Sequence, residues 1–170
     1  AAFARGMLSL AQQHNVRLVG GDTVRGALSF SITALGERPA SAGQAMRRSG
    51  AQVGDWIAVS GVPGEAALGL AQRLGSLNLP ATWAAQALAR LHRPTPRVEL
   101  GLALRDIASS AVDISDGLAQ DLGHILTASG VGARLELAKL PRSPVLDVVP
   151  QDVAWQAQLA GGDDYELLLT

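Results

Sequence analysis

The sequence contains no cysteine. That absence excludes a disulfide framework, a thiolate metal site and a cysteine nucleophile, and it suits a reducing compartment such as the cytoplasm. Lysine is nearly absent too: of 14 basic residues only Lys139, in "LAKLP", is not arginine. With no GxxxxGK[ST] present, there is no P-loop. Aromatic residues make up 4% of the chain, so a core must be assembled from Leu, Val, Ile and Ala. There is little excess charge of either sign: 14 basic and 15 acidic residues leave a net charge of -1. That balance argues against a protein that holds nucleic acid by broad phosphate neutralisation. No apolar run approaches the ~20 residues needed to cross a bilayer, and no signal-peptide pattern is seen. GxGxxG, HExxH and GxSxG are all missing, and His14, His92 and His124 have no paired-ligand spacing. What remains is a chain 48% hydrophobic and 17% charged, which supports a packed core.

The 170 residues suffice for one domain or for one domain and part of another. The chain opens without methionine inside a helical pattern and stops inside a strand pattern, so we expect a fragment of a longer protein. Residues 1–14 place Phe3, Met7, Leu10 and Ala11 on one helical face, ended by Asn15. "VRLVGG" (16–21) reads as a buried strand, and "ALSFSITALGE" (27–37) alternates as a strand. Residues 38–55, rich in Pro, Gly and Ser, read as a connector. "DWIAVSG" (55–61) reads as a strand, followed by a helix with Pro63 near its first turn and Gly75 at its stop. Helices are expected over 82–93 and 97–108, a strand over 110–115, a helix over 116–130, and strands over 133–140 and 165–170. The three tryptophans are expected to serve packing. Strands and helices mingle without a βαβ rhythm, which indicates α+β.

The recurring chemistry is carboxylate beside glycine. In "VDISDG", an extended backbone turns Val112 and Ile114 to one face and Asp113 and Ser115 to the other, with Asp116 at the turn. A hard cation takes such oxygen ligands, usually one or two carboxylates with water and phosphate. Asp116 is also suited simply to capping the helix that follows. In "GGDT", Asp22 suits either a turn closed on its own backbone or an approach to metal-bound phosphate. Asp163 and Asp164 in "GGDDYEL" repel one another, which favours a bound cation or a cationic substrate; the alternative is a solvated loop. Arg47 and Arg48 are suited to phosphate or to solvent. "SGVPGEAALGL" suits either helix N–H groups aimed at an anion or glycine used for geometry alone.

"LVGGDTVRG", "RSGAQVGDWIAVSGVPGEAALGL", "RPTPRVELGLALRD", "AVDISDGLAQDLGHI" and "AGGDDYELL" follow one another as in bacterial thiamine-monophosphate kinases, which the chain resembles over nearly its whole length. That family sits with aminoimidazole ribonucleotide synthetase and selenophosphate synthetase. The resemblance implies an α+β, PurM-like two-domain architecture. Residues 1–45 would end an ATP-binding, dimer-forming N-terminal domain, and residues 46–170 would form most of the C-terminal α+β domain. It implies transfer of the ATP γ-phosphoryl to thiamine monophosphate, giving thiamine diphosphate, with Mg²⁺ and without a phosphoenzyme, in a cytoplasmic homodimer. Residue by residue, it makes Asp22, Asp113 and Asp116 Mg²⁺ ligands. Gly21, Asp22, Arg48 and Ser115 become ATP contacts, and Asp163 a substrate contact where relatives often carry Glu. Further metal-binding aspartates, a substrate histidine and a substrate-stacking aromatic of the family lie outside these residues, so the fragment alone is expected to be inactive. The alternatives are another ATP-dependent enzyme of the superfamily, or a non-catalytic nucleotide-binding or dimerisation relative. Phosphoryl transfer asks for positioning and charge neutralisation rather than a covalent catalyst, which these residue types supply.

Overall fold

A computed structural model describes residues 2–37 and 45–170. The chain divides into two compact units, Ala1–Pro39 and Ala40–Thr170. The first part of the expected connector, 38–44, lies outside the described residues.

In the first unit, α1 spans Ala2–Gln13. Asn15 adopts a left-handed φ of 56°, and the Val16 N–H reaches back to the Ala11 carbonyl at 2.8 Å. This closes the helix as asparagine and glycine do at helix ends. The Phe3 ring stacks on Phe30 with centroids 4.1 Å apart. The strands expected over 16–21 and 27–37 do not form: that backbone has no ladder partner among the described residues, and Val19, Leu28 and Leu35 are exposed. Alternation specifies which face a strand would bury, but a strand also needs a neighbour for its N–H and C=O groups.

The second unit is α+β. Its sheet is antiparallel, in the order β1 (Ala58–Val59), β3 (Glu166–Leu169), β2 (Ala111–Ile114). Val112 pairs with Leu168 and Ile114 with Glu166 on the inner face, while Asp113 opposes Leu167 on the outer one. Helix α5 (Leu118–Ser129) covers the inner face. Its Leu118, Leu122 and Ile125 join Val112, Ile114 and Leu168 in one core, each buried side chain contributing about 2 kcal/mol. A second core gathers Leu68 of α2 (Glu65–Leu74), Ala87 of α3 (Ala81–His92), Val145 and Leu146 of α6 (Pro144–Asp147), and Ala154 of α7 (Gln151–Ala160). Gly69 permits the α2–α3 crossing, since a Cβ there would lie 2.4 Å from the Ala87 carbonyl oxygen. Gly75 ends α2 with φ 74°.

Three further expectations are corrected. Residues 133–140 form a 3-10 turn, Leu137–Lys139, rather than a strand; Leu135 and Leu140 meet the first core by packing, without ladder pairing. The helix expected over 97–108 is α4, Val98–Ala103. Trp83 packs on the second core, but Trp56 is 85% exposed. Helices α6 and α7 had no sequence expectation.

Candidate functional site

Burial of Val112 and Ile114 leaves Asp113 exposed at the end of β2. The chain then turns through Ser115 and Asp116 into α5. The N-cap position of α5 is Gly117, and no side chain caps it, so Asp116 does not serve the capping role open to it in the sequence. Instead the Asp116 carboxylate accepts a hydrogen bond from Gln120 Nε2 at 3.2 Å. The turn is anchored from behind by Asp121, 2% exposed. Its Oδ2 accepts the N–H groups of both Ser115 and Asp116 at 3.1 Å, a favourable place for a carboxylate at a helix N-terminus.

The "GGDDY" loop lies against this turn. The Asp163 N–H donates to the Ser115 carbonyl at 2.9 Å, and the Tyr165 N–H to that of Ile114 at 2.8 Å. Asp163 and Tyr165 both have left-handed φ angles, 66° and 50°, which is strained backbone for non-glycine residues. Asp164, between them, turns inward and is 1% exposed. Its carboxylate accepts the Gly64 N–H at 2.7 Å and the Ala66 N–H at 3.3 Å. The anion at the start of α2 is therefore the chain's own, and the expectation that Asp163 and Asp164 act as one repelling pair fails. Burial pushes the Asp164 carboxyl up to about 6, against the lowering effect of those two N–H groups. Partial burial, and then the field of Asp163, Asp113 and Asp116, pushes the Tyr165 phenol up.

Arg48 lies elsewhere. Its carbonyl accepts from Ser129 Oγ at 3.2 Å, and the same hydroxyl accepts the N–H groups of Gly50 and Ala51. Arg48 is therefore beside the C-terminal end of α5, while Asp116 is at the other end of a helix about 18 Å long. Its side chain is exposed. In the first unit, Gly21 has φ 144°, and the exposed Asp22 accepts its neighbour Thr23 N–H at 2.7 Å.

Residues 52–170 match the family described as AIR synthase related protein, C-terminal domain. The chain belongs to that family. Thiamine-monophosphate kinase of Salmonella typhimurium is 47% identical over 99% of this chain and 52% of its own length. The crystal structure of thiamine-monophosphate kinase from Stenotrophomonas maltophilia superimposes with a TM-score of 0.82 at 43% identity, covering 99% of this chain and 54% of that one. AaThiL complexed with AMPPCP and TMP superimposes at 0.66 with 32% identity, over 73% of this chain and 41% of that one. The chain spans about half the length of the curated relatives it matches.

The AIR synthase related domain holds a second polar assembly that the motif reading missed. Glu166 is fully buried. Its carboxylate accepts from Ser60 Oγ at 2.6 Å, from Arg90 Nη2, and from Arg97 Nε and Nη2 at 2.7 Å each. Burial alone would push this carboxyl up, but the Arg97 and Ser60 hydrogen bonds outweigh it and hold it low. Glu65 joins through Gln86 Nε2 at 3.0 Å and Arg90 at 3.6 Å. The sequence signal was available: Glu166 alternates with Leu168 and so falls on the buried face, where an unpaired carboxylate is costly. Asp121 was detectable too, as an acidic residue in the first turn of a helix.

Among the described residues no three His, Cys, Asp or Glu side chains are grouped to hold a metal ion. Asp113 and Asp116 are exposed and take part in no ion pair among the described residues. Two such carboxylates fit Mg²⁺, which keeps water and phosphate oxygens as its remaining ligands. Among the described residues, no helix is long and apolar enough to cross a membrane.

Proposed function

We propose that this chain is part of a thiamine-monophosphate kinase, which transfers the ATP γ-phosphoryl to thiamine monophosphate. The observation that carries the reading is the hydrogen-bonded union of the Ser115–Asp116 turn with the Asp163 loop, in a chain similar to a protein solved with AMPPCP and TMP.

Asp113 and Asp116 would hold Mg²⁺ together with phosphate oxygens, and Asp22, in the first unit, is taken by itself as a Mg²⁺ ligand. Bound Mg²⁺ offsets the negative charge of the transferring group. Ser115 and Gly21 contact nucleotide phosphate, and Arg48, at the far end of α5, reaches the nucleotide away from the metal. Asp163 contacts the cationic acceptor. The chain needs no covalent nucleophile, because positioning and charge neutralisation account for phosphoryl transfer. Residues 1–45 belong to the nucleotide-binding, dimer-forming domain and 46–170 to the C-terminal domain of a cytoplasmic homodimer.

The test is incubation of the complete gene product containing these residues with ATP, Mg²⁺ and thiamine monophosphate, with thiamine diphosphate detected by mass. Formation of that product supports the reading. A complete protein that consumes no ATP with this acceptor overturns it.

A further inference from the structure

Tyr165 is the chain's one tyrosine, and its placement is not that of a packing residue. Its neighbours Asp164 and Glu166 are buried, whereas Tyr165 is 46% exposed. Its backbone is strained at φ 50° and pinned by the Tyr165 N–H to the Ile114 carbonyl. The hydroxyl makes a long contact of 3.4 Å with Asp163 Oδ1, too weak to hold the ring by itself. Strained backbone of this kind persists where surrounding structure enforces it, and it concentrates at ligand sites.

We propose that the Tyr165 ring is a specificity-determining contact for the acceptor, its face set against the cationic thiazolium ring of thiamine monophosphate. The proposal rests on the kinase reading and deepens it. An electron-rich phenol face attracts a planar cation. The carboxylates of Asp163, Asp113 and Asp116 act on this phenol and reinforce that preference, while disfavouring an anion that arrives without metal. The cationic ring of the acceptor then lies at Tyr165 and Asp163, and its phosphate at Asp113 and Asp116. Asp163 supplies charge, and Tyr165 supplies a flat surface that orients the ring.

Steady-state kinetics of the complete protein and of Tyr165→Phe and Tyr165→Leu test this, with thermal unfolding of each. Phe keeps the aromatic face, so the KM for thiamine monophosphate is expected to stay within about threefold of wild type. Leu keeps bulk without the face, so that KM is expected to rise about tenfold, with the KM for ATP unchanged. An unchanged acceptor KM in Tyr165→Leu, an equal rise in both KM values, or equal effects of Phe and Leu overturns the proposal. Any of these with an active wild type leaves the kinase reading standing. A wild-type protein that neither phosphorylates nor binds thiamine monophosphate overturns both.

Discussion

The Asp163 N–H and the Ser115 carbonyl are joined at 2.9 Å, so two motifs nearly fifty residues apart in sequence form one continuous rim. Gly162 makes this approach feasible, because a Cβ there would lie 2.4 Å from the Ser115 carbonyl oxygen. Gly162→Ala is expected to push the two loops apart at a cost of about 1–3 kcal/mol and to raise the acceptor KM. Unfolding and kinetics of that variant check it, and an unchanged KM would show that the junction does not shape the site.

Asp121 orders the Ser115–Asp116 turn from behind. Asp121→Ala leaves the N–H groups of Ser115 and Asp116 without their acceptor, a loss of about 2–4 kcal/mol. Because the turn carries Asp116, the Mg²⁺ concentration for half-maximal activity should also rise. Loss of stability with an unaltered Mg²⁺ dependence would confine Asp121 to folding.

Asp113 is exposed and free of ion pairs among the described residues. Asp113→Asn should therefore change stability by no more than about 0.5 kcal/mol, yet, as a proposed Mg²⁺ ligand, lower turnover roughly 100-fold or more. Turnover within a few-fold of wild type would remove Asp113 from the metal site.

Asp164 ties stability to pH. Its carboxyl titrates near 6 when folded, against an ordinary value of 3.8, so the folded state binds the proton more tightly than the unfolded state. This contribution is fully present below pH 3.8 and is lost as pH rises through 6. The difference corresponds to about 3 kcal/mol. Asp164→Asn cannot titrate, so its melting temperature relative to wild type should improve between pH 4 and pH 7.5. A gap that is the same at both pH values contradicts the assignment.

The sequence alone determined that Val112 and Ile114 turn inward and Asp113 outward, because a strand's faces alternate and only one can meet the core. It also determined the ends of α1 and α2, since Asn15 and Gly75 tolerate the left-handed backbone that closes a helix. Periodicity misled at 16–21, 27–37 and 133–140, where apolar positions record a preference for burial but not the identity of a hydrogen-bonding neighbour. Only the tertiary structure separated Asp163 from Asp164, sending one to the open rim and the other to the start of α2. Only it selected Asp121 as the group that anchors the Ser115–Asp116 turn, and Glu166 as the acceptor shared by Arg90 and Arg97. The physical reason is common to all of these: a carboxylate's role depends on which N–H groups and cations the fold brings to it from distant segments, and sequence spacing does not carry that information.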